Sequence, residues 1–196
     1  RVQRVGVDGH AAGLQHAQQH HRIGQAVGHL QRHAVAGLQL GLESGKLKLA
    51  RDPNGQGYLP SLLKALDLPV DSQVLVFTKS SLQFREIGPQ TPRAIYFNDD
   101  TALGAVQGGE LFEIVTADAR GRLAFYSMQQ NAEPKVELER PRCLMCHGAI
   151  GPAAGMMVAN TIPQEDGTPE VVRLDRVFEL TDSTTPFEKR WGGWYV

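Results

Sequence analysis

The chain has 196 residues, of which 41% are hydrophobic and 21% charged, with a formal net charge of −1. That length suits one domain with a core, or one domain and a tail, and the near-neutral balance leaves no field of one sign to hold nucleic acid or an anionic membrane. No apolar run approaches the ~20 residues that span a bilayer, and both cysteines fall in one five-residue motif, which excludes a disulfide framework.

Residues 1–41 differ from the rest. They hold His10, His16, His20, His21, His29 and His33, a single acid (Asp8) and no aromatic residue. Such a stretch has too little apolar surface to offset its ordering entropy. Three readings stand: a disordered or weakly helical tail, an out-of-frame or misassigned start, and a metal- or haem-binding histidine segment. His16 with His20, and His29 with His33, have the i,i+4 spacing of one helix face, but no carboxylate or cysteine lies near enough in sequence to complete a site. Arg1 is followed by no basic n-region and apolar h-region, so the expectation is a start that is cut or misassigned, with any signal peptide outside this stretch.

From residue 42 the texture is that of an ordinary domain, in which 47–49 reads as a short strand or extended arm. Asp52-Pro-Asn-Gly55 is a turn. Leu59, Leu62, Leu63 and Leu66 follow helical spacing after Pro60, which predicts a short helix over about 60–67, stopped by Pro69. Apolar, β-branched runs at 73–78, 93–97, 102–106, 111–116 and 123–126 predict an antiparallel meander, with turns at Asn98-Asp99-Asp100 and 118–121. Residues 133–142 read as a loop, 148–155 as a Gly/Ala/Pro loop and 171–174 as a further strand. The aromatic ending Trp191-Gly-Gly-Trp-Tyr-Val196 predicts a domain that continues beyond it.

The chemistry lies in Cys143-Leu-Met-Cys146-His147. Cys-x-x-Cys-His is the attachment signature of c-type haem. On one helical turn, positions i, i+3 and i+4 share a face. Two thiols can then bond the two vinyl groups of one porphyrin while the imidazole of His147 reaches the iron. Pro141 suits the first turn of that helix, and Gly148 suits its end or a close approach to a flat ring. Three alternatives compete: a dithiol redox site, a zinc site and a chance match. A dithiol redox site expects a βαβ setting, and zinc needs four ligands where two Cys and one His offer three.

Met156 or Met157 is the candidate distal ligand, with core packing as the competing role; Met145 and Met128 are the other methionines. Lys135, Arg140 and Arg142 are candidate propionate partners or solvated charges. Asn98-Asp99-Asp100 is a β-turn before it is a calcium site. Trp191 and Trp194 are candidates for packing on a haem face, or for ordinary core.

The segments Gln73-Val-Leu-Val-Phe-Thr-Lys-Ser-Ser-Leu-Gln83, Thr91-Pro-Arg-Ala-Ile-Tyr-Phe-Asn-Asp-Asp100, Cys143-Leu-Met-Cys146-His147 and Thr185-Pro-Phe-Glu-Lys-Arg-Trp-Gly-Gly-Trp-Tyr-Val196, in that order, resemble a poorly characterised family of bacterial haem-c proteins. The resemblance covers about 42–196. It implies an exported protein with a C-terminal continuation and carries over Cys143, Cys146 and His147 as haem-binding residues. Residues 1–41 do not share it.

The expectations are therefore an α+β domain, with an antiparallel sheet, short helices, a haem-bearing helix and a loop-rich C-terminal part, following a tail over 1–41. One covalent haem c is expected. So is one-electron transfer with redox partner proteins in the periplasm, as a carrier more than a catalyst. A haem enzyme or sensor with an open distal site, such as a peroxidase, is the main alternative, and a zinc or dithiol domain the next.

Overall fold

A computed structural model describes residues 34–117, 122–130, 133–139, 141–147, 158–159, 163–169, 180–181, 184 and 186–187. Its centre is a six-stranded antiparallel sheet whose strands lie side by side in chain order. They are β1 (Val74–Val76), β2 (Arg93–Phe97), β3 (Thr101–Val106), β4 (Leu111–Ala117), β5 (Leu123–Gln129) and β6 (Val136–Leu138). Each of the five β runs predicted between 73 and 126 contributes a strand, because side chains on an extended backbone alternate between faces and each run has apolar groups for at least one of them. The turns follow local chemistry. Between β2 and β3, Asn98 Oδ1 accepts the N–H groups of Asp100 at 3.1 Å and Thr101 at 2.9 Å. Between β3 and β4, Gly108 takes φ +71°, a left-handed conformation that costs glycine little.

Two helices cover one face of the sheet. Helix α1 (Ala34–Glu43) and helix α2 (Leu59–Ala65) send Val35, Leu38, Leu62 and Leu63 against Leu103, Phe112, Ile114, Tyr126 and Met128. Leu62, Phe112 and Leu103 are fully enclosed. Helix α2 lies where the leucine spacing predicts it, with Pro60 in its first turn. Helix α1 runs across the compositional boundary at residue 41, and its Val35, Ala36 and Leu38 are buried.

The strand register puts a different set on the opposite face. Gly104 pairs with Glu113, and Glu113 with Ser127; Ala102 pairs with Val115, and Val115 with Phe125. Val76, Ile95 and Ala102 form a small apolar cluster there, with Val74 and Val115 beside it. Helix α3 (Pro141–His147) follows β6 and meets this second face. Beyond it, β7 (Val158–Ala159) pairs with β8 (Leu180–Thr181). Residues 163–169 return to the sheet edge, where Lys79 donates its backbone N–H to Gly167 O at 2.8 Å and its Nζ to Asp166 Oδ2 at 3.0 Å.

The expected fold class needs correction. The described structure is mostly the six-stranded sheet with a few short helices, and a haem-bearing helix is not among the features it shows. The sheet dominates because its strands alone supply the long-range pairing, whereas α2 and α3 have seven residues each and are helical in context. The interval 133–142, expected as a loop, instead gives its middle to β6, which pairs Val136 with Met128 and Leu138 with Tyr126. Residues 1–33, the turn at 118–121, the loop at 148–155 and the strand expected at 171–174 lie outside the described residues.

Candidate functional site

The site is built from β5, β6 and α3. Glu139, just past β6, donates its backbone N–H to Phe125 O at 2.8 Å, which extends the ladder by one rung. Its side chain therefore falls on the second face beside Ser127, whose Oγ donates to Glu139 Oε1 at 2.7 Å. Arg142, in the first turn of α3, donates from Nε to Glu139 Oε2 at 3.0 Å and from a terminal nitrogen to Oε1. This forked contact ties the start of α3 to the sheet. Arg142 and Ser127 together hold the Glu139 carboxyl below the usual carboxylate range, against the opposing effect of burial.

On α3, Cys143, Cys146 and His147 occupy i, i+3 and i+4 of one helical segment. Both cysteines are free thiols; Cys143 is half-buried and Cys146 exposed. Burial first, then the charges of Glu139 and Glu113, pushes the Cys143 thiol up to about 11. The His147 ring stacks on Phe125, with centroids 4.8 Å apart and planes inclined by 29°. The stacking engages one face of the imidazole. Leu144 is 47% and Met145 77% exposed, so apolar surface faces outward around the thiols.

Glu113 lies on the same face, one strand inward. It accepts Ser81 Oγ at 2.6 Å, the Leu82 N–H at 3.0 Å and an Arg93 guanidinium nitrogen at 3.4 Å. Gly104, its cross-strand neighbour, has only hydrogen where a Cβ would stand 3.3 Å from Arg93 Cδ, so the arginine stem passes over it. Sequence reasoning missed Glu113, Phe125, Ser127 and Glu139. The available signal was Glu113 itself, a single acid between Leu111, Phe112 and Ile114, at a strand position that a core-only sheet would fill with an apolar group.

The other candidates fall as follows. Met128 is 1% exposed in the core on the opposite face of the sheet from Phe125 and His147. Met145 lies two residues from His147 on the same turn and is exposed. Met156, Met157, Trp191, Trp194, Arg140 and the six N-terminal histidines lie outside the described residues. Lys135 pairs with Glu137 at 2.8 Å and Arg142 with Glu139. Among the described residues, no group of three or more His, Cys, Asp or Glu side chains is placed to hold a metal ion, at the Asn98–Asp100 turn or elsewhere.

No family model matches the chain, and no curated protein or solved structure matches it either.

The residues at α3 fit a c-type haem by their donor set. Thioether formation needs two thiols three residues apart on one turn, and axial ligation needs one imidazole nitrogen beside them; all three are on α3, the thiols outside any disulfide. The fit to a redox dithiol is poorer. Such sites lower the thiol pKa of the attacking cysteine, whereas Cys143 is raised, and the strands are antiparallel rather than βαβ.

Proposed function

We propose that this protein is an exported haem-c protein of the family its segments resemble. It would act as a one-electron carrier or as the haem module of a larger periplasmic redox system, with redox proteins as partners. The observation that carries the reading is the placement of Cys143, Cys146 and His147 on one helical segment, anchored to the sheet by the Arg142–Glu139–Ser127 contacts. A bound haem c would supply a one-electron ferric/ferrous couple.

The chain's own residues have separate tasks in this reading. Cys143 and Cys146 tether the cofactor by their sulfurs. His147 offers a nitrogen as proximal ligand, and Phe125 limits the rotation of its ring. Glu139 and Arg142 hold the helix that carries all three. Met156 or Met157 remains the proposed distal ligand. Among the described residues no helix is long and apolar enough to cross a membrane.

The test is expression behind an export signal with the c-haem maturation machinery, read by a pyridine haemochrome spectrum and haem staining of a denatured band. A c-type spectrum with covalent stain is expected for the wild type, and loss of both for Cys143→Ala with Cys146→Ala. Covalent haem retained in the double variant would overturn the assignment. A native low-spin spectrum then supports the electron-transfer reading, and a high-spin one favours an open distal site suited to peroxide or ligand chemistry.

A further inference from the structure

The second face of the sheet carries a groove that the haem reading leaves unused. It has a volume of about 400 Å³, and its apolar lining comes from Val74, Phe97, Ala102, Val115, Ala117 and Leu123. The volume lies within the ~300–1,000 Å³ range typical of ligand sites. Phe97 is 39% exposed there, and Val115 and Leu123 are only partly covered.

The register joins this groove to α3. Val115 is the direct cross-strand partner of Phe125, and Leu123 precedes Phe125 by two residues on the same face. Directly opposed residues stand ~5 Å apart. The ring of Phe125 is the surface on which His147 stacks at 4.8 Å. Groove, Phe125 and His147 thus follow one another along one face of the sheet. A flat ring system bonded at α3 is wider than the ~4.8 Å between neighbouring strands. Asp99 and Asp100 border the groove, so an apolar edge suits it better than an anionic one.

We propose, resting on the haem-c reading above, that the porphyrin tethered at α3 lies with its apolar edge in the groove formed by Phe97, Ala102, Val115 and Leu123. Those side chains then set the dielectric around the iron. The ferric centre carries one more positive charge than the ferrous, so an apolar wall disfavours it and raises the reduction potential.

The experiment uses the matured holoprotein and three variants: Phe97→Gln, Leu123→Gln and the double. Leu75→Gln is the control, because Leu75 is 50% exposed and sits beside Ala94 on the other face. Covalent stain, Soret position, midpoint potential and a far-ultraviolet melt are recorded for each. The expected result is covalent haem in every variant, a fall in potential and a Soret shift in both single variants, a larger change in the double, and no change in the control. Both single substitutions lie at partly exposed positions, so they decide the matter if the double variant does not fold. Attached haem whose potential and Soret band are unmoved by Phe97→Gln and Leu123→Gln would overturn the groove assignment while leaving the haem reading intact. A wild type without covalent haem would overturn the haem reading first, and the groove assignment with it.

Discussion

Cys143 and Cys146 belong to one motif and differ in surroundings. Cys143 is half-buried over Glu113 and Glu139, and its thiol is pushed up to about 11. On the order of one Cys143 in a thousand is then thiolate at pH 8, and the thiolate is the reactive form. In the haem-free protein, iodoacetamide at pH 8 should label exposed Cys146 several-fold faster than Cys143, as followed by peptide mass spectrometry; equal rates would contradict the burial of Cys143. Glu139 has the opposite shift. The hydrogen bond from Arg142 holds its carboxyl below the usual range, so the native state binds this proton less readily than the unfolded chain does. The stabilisation is complete above the ordinary carboxylate pKa of ~4.3 and drains away as pH falls through it toward the folded value. Glu139→Gln should therefore cost about 1–2 kcal/mol at pH 7, kept low by the half-exposed Arg142. Urea melts at pH 7 and pH 3 should show the gap from wild type closing at the lower pH.

At the scale of elements, the outcome rests on what each segment packs against. Helix α3 is too short to be stable alone and holds its place by Arg142–Glu139 and by His147 on Phe125. The 163–169 loop is held by backbone fit. Gly167 has φ +88°, and a Cβ there would stand 2.2 Å from the carbonyl oxygen of Phe77. Gly167→Ala forces the loop off the β1 edge and breaks the Lys79 contacts, at a cost of about 2 kcal/mol. Limited proteolysis should then cut within 163–169 faster than in wild type, while the sheet resists; unchanged cleavage would mean that the loop is docked by other contacts. Strand β6 was not legible in the sequence, because Val136-Glu-Leu138 has a single buried residue and charged neighbours. It becomes a strand only because β5 offers an open edge.

For the whole molecule, the sheet separates two tasks. Its first face, under α1 and α2, carries the stability. Phe112 is fully buried there, and Phe112→Ala should cost about 3–5 kcal/mol in urea unfolding. Phe97→Ala on the second face should cost far less, since Phe97 is already partly in solvent. Comparable losses would contradict this division.

Local pattern was enough for what depends on near neighbours along the chain. Apolar, β-branched runs marked five of the six strands of the main sheet, leucine spacing marked α2, Asn98 marked a turn, and the Cys143-to-His147 spacing marked a shared helical face. Each of those signals spans a few residues and follows from the geometry of one strand, one turn or one helix. Register is a relation between segments and was decided only in three dimensions. It put Glu113, Ser127 and Glu139 under α3, set Phe125 against His147 and drew Val35 and Leu38 into the core from a stretch whose composition promised none. It also left the apolar groove on the face that carries the cysteines. A one-residue slip in β5 would exchange Phe125 and Tyr126 between the faces, and no local pattern in the chain forbids that slip as the packed sheet does.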